Sequence, residues 1–221
     1  MSVFGLIHGA WHGAWSWEQL VPALEVRGHH PVAVELPCDD EDAGLDEYAR
    51  IVDEALGDAD DVVLVAHSLG GLTVPLIAER RPIARIVLIA ALLPKQGLSL
   101  VDQLRADRDI LIGRNEGRRI DENKRLEWTD ASAAIDTLYT DVEPQVAAAA
   151  FVRLRPQANK PHVEKARAPW PDLPTEYLVC AQDRMVSPGY QQRAPFTRQV
   201  LASAHSPMLS QPSELARRLC P

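Results

Sequence analysis

The stretch DVVLVAHSLGGLTVPLIAERR, residues 61–81, passes without a break from one kind of local structure to another. Residues 61–67 form a continuous apolar, β-branched run, the composition of a parallel strand buried on both faces. Residues 69–81 carry a helical pattern. Between them stands Ser68, followed by Gly70 and Gly71. A serine ahead of an apolar-periodic stretch is a common helix cap. Strand, turn and helix in this order are also what a nucleophile elbow requires, because the sharp turn holds a hydroxyl proud of the sheet edge. In the elbow pattern G-x-S-x-G, Ala66 takes the first glycine position here and Gly70 keeps the second. Local sequence leaves both readings of Ser68 open. A catalytic reading needs a base, an acid and an oxyanion hole elsewhere in the chain.

Further apolar, β-branched runs occur at 2–8, 31–36, 84–90, 175–181 and 197–202, giving six strand candidates with 61–67. Helix candidates lie near 15–27, 45–57, 69–81 and 210–219. In the second, Leu45, Tyr48, Ala49, Val52 and Leu56 form one apolar stripe. The alternation predicts an α/β fold with a doubly wound, mostly parallel sheet. It breaks once, between Pro94 and about Pro174, where the chain is charged at RNEGRRIDENKR (114–125) and alanine-rich at VAAAAFVRL (146–154). No strand candidate stands out there. The expected organisation is a single domain over 1–221 with a helical cap inserted at about 95–170, above the carboxyl edge of the sheet.

Composition bounds the function from outside. With 221 residues, 46% apolar and 24% charged, the chain has the make-up of a soluble globular domain. Lys plus Arg is 23 against 31 Asp plus Glu, a formal charge of −8 without a clustered basic stretch, which argues against nucleic acid or an anionic membrane surface as partner. No apolar run is long enough to span a bilayer, and the start lacks the pattern of a signal peptide, so the expected location is cytoplasmic. Cys38, Cys180 and Cys220 are odd in number and far apart, suggesting neither a disulfide framework nor a zinc site.

The partners of Ser68 follow from chain order. In a fold of this kind the triad runs Ser, then Asp or Glu, then His. His162, in the polar stretch ANKPHVEKA, reads as a surface residue. His205 follows the last strand candidate and precedes a helix, where the base belongs. Asp183 lies just beyond the strand at 175–181, whereas Asp172 precedes that strand and falls on the wrong edge. After the first strand, LIHGAWHGAW (6–15) supplies glycines at 9 and 13 that let backbone approach a ligand. The oxyanion-hole donors are then the N–H of Leu69 and a loop N–H near Ala10. His8 and His12 without a carboxylate or cysteine partner at suitable spacing make a poor metal site, so no metal and no cofactor are expected.

The stretches LIHGAWHGAWSWEQLVPALEVRGHHPVAVELP, VLVAHSLGGL, LVCAQDRMVSP and AHSPMLSQPSELARRL together resemble an α/β-hydrolase family. The branch is the one holding plant methylesterases, hydroxynitrile lyases and their small bacterial esterase relatives. By that resemblance Ser68, Asp183 and His205 fall on the triad and the amides of Ala10 and Leu69 on the oxyanion hole. It also implies a six-stranded parallel sheet. Trp11, Trp15 and Trp17 could flank the pocket, and only Trp11 is assigned to substrate; aromatics at such positions are more often core.

The expected chemistry is hydrolysis of a small-molecule carboxylic ester through an acyl-enzyme. Amides and lactones ask for the same parts. Two rivals belong to other classes: a hydroxynitrile lyase, and a non-catalytic small-molecule sensor. In the lyases of the resembling branch a threonine stands where this chain has Gly9, and a lysine follows the catalytic histidine, where this chain has Ser206. Expected partners are the ester alone, with neither nucleic acid nor membrane; a homodimer is left open.

Overall fold

A computed structural model describes residues 1–113 and 116–220. Strands β1 (Val3–Ile7), β2 (His30–Val34), β3 (Val62–His67) and β4 (Arg85–Ile89) come first. A two-stranded hairpin follows, β5 (Arg118–Ile120) and β6 (Leu126–Trp128), and then β7 (Thr175–Cys180) and β8 (Thr197–Leu201). Six of these pair in parallel in the order β2-β1-β3-β4-β7-β8. The continuous apolar runs are explained by this arrangement. Every residue of β3, between β1 and β4, is buried, and a strand covered on both faces has no side to leave polar.

Helices flank the sheet. Helix α1 (Leu20–Glu25) packs against α10 (Pro212–Leu219), and α2 (Leu45–Leu56) against α3 (Val74–Ala78). The stripe of α2 is buried as the sequence requires, through Leu45, Tyr48, Ala49, Val52 and Leu56, while Asp46 and Glu47 occupy its positive first turn. The helix expected at 15–27 is broken: Ala14–Trp17 is a 3-10 turn, and α1 begins only at Leu20. The stretch after β3 likewise opens as a 3-10 turn, Ser68–Thr73, before α3.

Between β4 and β7 lie α4 (Leu100–Ala106), the hairpin, α5 (Ala131–Leu138), α6 (Pro144–Val152) and α7 (Lys160–Val163). This segment therefore contains strands that the sequence did not suggest. The hairpin is antiparallel, pairs Arg118 with Trp128 and Ile120 with Leu126, and stands apart from the main sheet. Its strands are too short and too charged to show an alternating pattern. Arg114 and Asn115, at the start of the charged stretch, lie outside the described residues. Helices α8 (Pro188–Gln192) and α9 (Pro207–Ser210) sit beyond β7 and β8.

The turn after β3 is packed against backbone. A Cβ added at Gly71 would run into the Leu92 carbonyl oxygen and come within 3.0 Å of the Ala91 Cβ. At Gly5 the same addition meets only the methyl tips of Leu56 and Leu64, each at 3.2 Å. A carbonyl held in place cannot yield, whereas a leucine methyl can. Gly71→Ala is therefore expected to cost about 2–3 kcal/mol or more in urea unfolding, and Gly5→Ala less than about 1 kcal/mol. Equal losses would contradict this account of the turn.

Candidate active site

All six parallel strands end on one edge, and the residues picked from the sequence collect there. Ser68 leaves β3 with φ 51°, in the left-handed region. Trp11, beyond β1, has φ 65°, and Ala90, at the end of β4, has φ 45°. For residues other than glycine this conformation costs roughly 1–2 kcal/mol each. Three such residues border one sheet edge. Ser68, Ala10, Trp11 and Leu69 share a single cavity of about 320 Å³ under the segment between β4 and β7.

Asp183 and His205 meet as chain order predicts. The Nδ1–H of His205 donates to Asp183 Oδ2 at 2.9 Å, which leaves the other ring nitrogen, Nε2, as the basic one. The Asp183 carboxylate is fully provided for. Its Oδ1 accepts from the backbone N–H groups of Met185 (2.7 Å) and Val186 (3.0 Å). Its Oδ2 also accepts from the Gln191 side-chain amide at 2.8 Å. Gln191 in turn donates to the Val186 carbonyl at 2.9 Å and accepts from the Cys180 N–H at 2.8 Å, so its own orientation is determined. The His205 loop is held from another side by Asp141, whose Oδ2 accepts from the Ala204 N–H and the Ser210 hydroxyl, both at 2.9 Å. The residue before Ser68 completes the link: His67 Nε2–H donates to the His205 carbonyl at 2.8 Å, and the two rings lie 4.6 Å apart.

The two candidate oxyanion donors are fixed by a common device. A peptide unit is planar, so anchoring its carbonyl sets the direction of its N–H. The Gly9 carbonyl shares a peptide unit with the Ala10 N–H and accepts from His8 Nδ1–H at 2.8 Å. The Ser68 carbonyl shares a unit with the Leu69 N–H and accepts from the Leu92 N–H at 2.9 Å. His8 is itself set by the Leu36 N–H, which donates to its Nε2 at 3.0 Å. His12 donates from Nδ1 to the Ala10 carbonyl at 2.7 Å, and the Tyr139 hydroxyl donates to its Nε2 at 2.8 Å. Both histidines thus spend their ring nitrogens on the protein.

The loop after β1 is also clamped by Arg155. Its N–H donates to the Trp11 carbonyl at 2.8 Å, and its guanidinium reaches the carbonyls of His12 (3.1 Å) and Leu36 (2.9 Å) and the carboxylates of Asp39 and Glu35. Gln191, Asp141, Tyr139 and Arg155 escaped the sequence reading. Most of their contacts span long stretches of chain and leave no local pattern. His162 is a correction. Expected at the surface, it lines the cavity, because α7 folds back over the sheet edge. Trp11 lines the cavity, its indole donating to the Leu126 carbonyl at 2.8 Å. Trp17 is wholly buried, and Trp15 stacks on His12 at 5.3 Å.

With this geometry in hand, known proteins place the chain. The model of the Alpha/beta hydrolase family matches residues 6–218. The chain belongs to the alpha/beta hydrolase family. Methylesterase 3 of Arabidopsis thaliana is 27% identical over 270 residues, covering 97% of this chain and 93% of that protein. The alpha-hydroxynitrile lyase of Arabidopsis thaliana is 38% identical over 103 residues, 41% of this chain. Relatives at such higher identity are matched over only about 40% of their own length. The crystal structure of polyneuridine aldehyde esterase superposes with a TM-score of 0.86 at 22% identity, covering 99% of this chain and 98% of that one. The alpha/beta-hydrolase fold with its six-stranded parallel sheet is thereby established, and the chain is related to plant methylesterases and a hydroxynitrile lyase. Among the described residues no helix is long and apolar enough to cross a membrane.

Burial holds the supporting histidines neutral. It lowers His8 to about 3 and His12 to about 4, and places His67 well below the ordinary histidine value. The unfolded chain takes up protons at these residues below about pH 6.5, while the native state does not until much lower pH. Their contribution to stability is therefore complete above about pH 6.5 and declines as the pH falls toward 4, by about 1.4 kcal/mol per pH unit per histidine. Melting temperatures are expected to fall steadily between about pH 7 and about pH 5, and less steeply for His12→Gln. A flat profile across that window would contradict the burial argument.

Proposed function

We propose that this hydrolase cleaves a small-molecule carboxylic ester through an acyl-enzyme on Ser68, with His205 as general base and acid and Asp183 as the residue that orients it. The observation that carries the reading is the pair of anchored peptide units. Ala10 and Leu69 line the same cavity as Ser68, and the N–H of each has its direction fixed by a hydrogen bond at the carbonyl end of its own peptide. Donors set in advance stabilise the charge that appears only in the transition state, and loss of one typically costs about 3–4 kcal/mol.

In the first half-reaction Ser68 Oγ attacks the ester carbonyl and His205 Nε2 takes its proton. The carbonyl oxygen becomes an oxyanion between the Ala10 and Leu69 N–H groups. Collapse of the tetrahedral intermediate expels the alcohol, which leaves with the proton held by His205. Water then attacks the acyl-serine with His205 again as base, releasing the acid. Asp183, buried and bound to the imidazole, stabilises the imidazolium in both steps. No step calls for a metal or cofactor.

The rival lyase reading is disfavoured by the loop after β1. A Cβ on Gly9 would stand 2.8 Å from the Ser68 Cβ and 3.0 Å from His67 Nδ1, so this backbone has no room for the threonine of the lyases. Ser206 follows His205 and brings no cation toward a departing cyanide. A charge left uncompensated in a desolvated site costs several kcal/mol, on the order of 3–5. Offered an activated acetate ester and mandelonitrile in parallel, the protein is expected to turn over the ester and to release no benzaldehyde above background. Saturable benzaldehyde release lost in Ser68→Ala, without ester hydrolysis, would overturn the esterase reading in favour of the lyase; binding of the ester without turnover would favour the sensor.

A further inference from the structure

The cavity around Ser68 is mostly apolar, with walls from Leu92, Leu100, Leu104, Leu111 and Met185. Its charged side chains are Arg108 and Arg118, and among the described residues no aspartate or glutamate lines it. Arg108 is flanked in sequence by two acids that face elsewhere. Asp107 and Asp109 each pair with Arg193, at 2.8 Å, outside the cavity. Among the described residues no hydrogen bond or ion pair engages the Arg108 side chain. Arg118 lies over two indoles, its guanidinium carbon 5.7 Å from the Trp11 ring centre and 5.0 Å from that of Trp128, and donates to the Gly113 carbonyl at 3.3 Å. Trp11 adjoins Ala10, so the cationic part of the wall is continuous with the oxyanion loop.

Arg108 stands on this apolar wall with no acid of the described residues paired to it. An anionic ligand therefore finds a counter-charge there that a neutral ligand cannot use, and a carboxylate matches the planar donor fork of arginine. The acyl group stays on Ser68 through both half-reactions while the alcohol departs after the first. A lasting grip therefore belongs to the acyl side.

We infer that the ester hydrolysed here is the half-ester of a dicarboxylic acid, its free carboxylate held by Arg108 with Arg118 beside it. The inference rests on the esterase reading above and names its substrate class. Cleavage is ordinary hydrolysis: the acyl C–O bond breaks, water supplies the hydroxyl of the new acid and the proton of the alcohol, and no further reactant is needed. His162, neutral because burial lowers its pKa, adds a polar but uncharged group to the same wall.

The test compares two chromogenic esters of the same acyl length, mono-p-nitrophenyl glutarate and its neutral methyl-ester counterpart, with rates corrected for those seen with Ser68→Ala. The charged ester is expected to be preferred by about ten-fold or more in kcat/KM. Arg108→Ala should lower kcat/KM for the charged ester about ten-fold more than for the neutral one, with part of that difference restored in Arg108→Lys. Added salt should narrow the wild-type preference. Turnover of the neutral ester with no preference for the charged one would overturn the substrate class and leave the esterase reading standing. Failure of both esters, with Ser68 unreactive, would overturn both.

Discussion

Ser68 is held in a left-handed backbone conformation at the end of a fully buried strand. That costs roughly 1–2 kcal/mol, and the surrounding packing has to enforce it. The enforcement is visible in the backbone. The Ser68 carbonyl accepts from the Leu92 N–H, and Gly71 lets the following turn lie against the Leu92 carbonyl. The strained turn is thereby tied to the end of β4, whose last contacts include the left-handed Ala90. The same hydrogen bond that secures the turn aims the Leu69 N–H. Strain and preorganisation are two results of one constraint.

Around this turn the protein builds a shell of neutral and paired polar groups. His8, His12 and His67 are buried, uncharged and bound to backbone, and they hold the loops that carry Ala10 and His205. Gln191 and Asp141 do the same for Asp183 and for the loop before His205. Groups this deeply buried cost stability when unpaired, and nearly all of their polar atoms are engaged. Arg155 reaches from the end of α6 to three carbonyls of the neighbouring loops, so the segment over the cavity is also a brace for the site beneath it. Disturbing that segment would be felt at the loop after β1 as well as in the cavity around Ser68.

The sheet is legible because burial on both faces forces continuous apolar runs, and each of the six runs is a strand within two residues of its expected ends. Chain order points to Ser68, Asp183 and His205 as candidates because a parallel sheet sends every strand end to one edge, which turns chain order into spatial proximity. The intervening segment was harder to read. Strands such as Arg118–Ile120 and Leu126–Trp128 are too short for a period to show, and the charged sequence around them reads as surface. His162 was misplaced for the same reason: ANKPHVEKA is polar, and only the tertiary fold brings α7 to the cavity. Gln191 and Arg155 act through contacts that no local pattern encodes.

The proposed chemistry requires that Ser68 be a nucleophile activated by His205 and Asp183. The most direct measurement is peptide mapping after reaction with a fluorophosphonate, which phosphonylates only an activated serine. Stoichiometric modification of Ser68 is expected, lost in Ser68→Ala and strongly slowed in His205→Ala while both variants remain folded. Modification of a different serine, or none in the folded protein, would contradict the assignment.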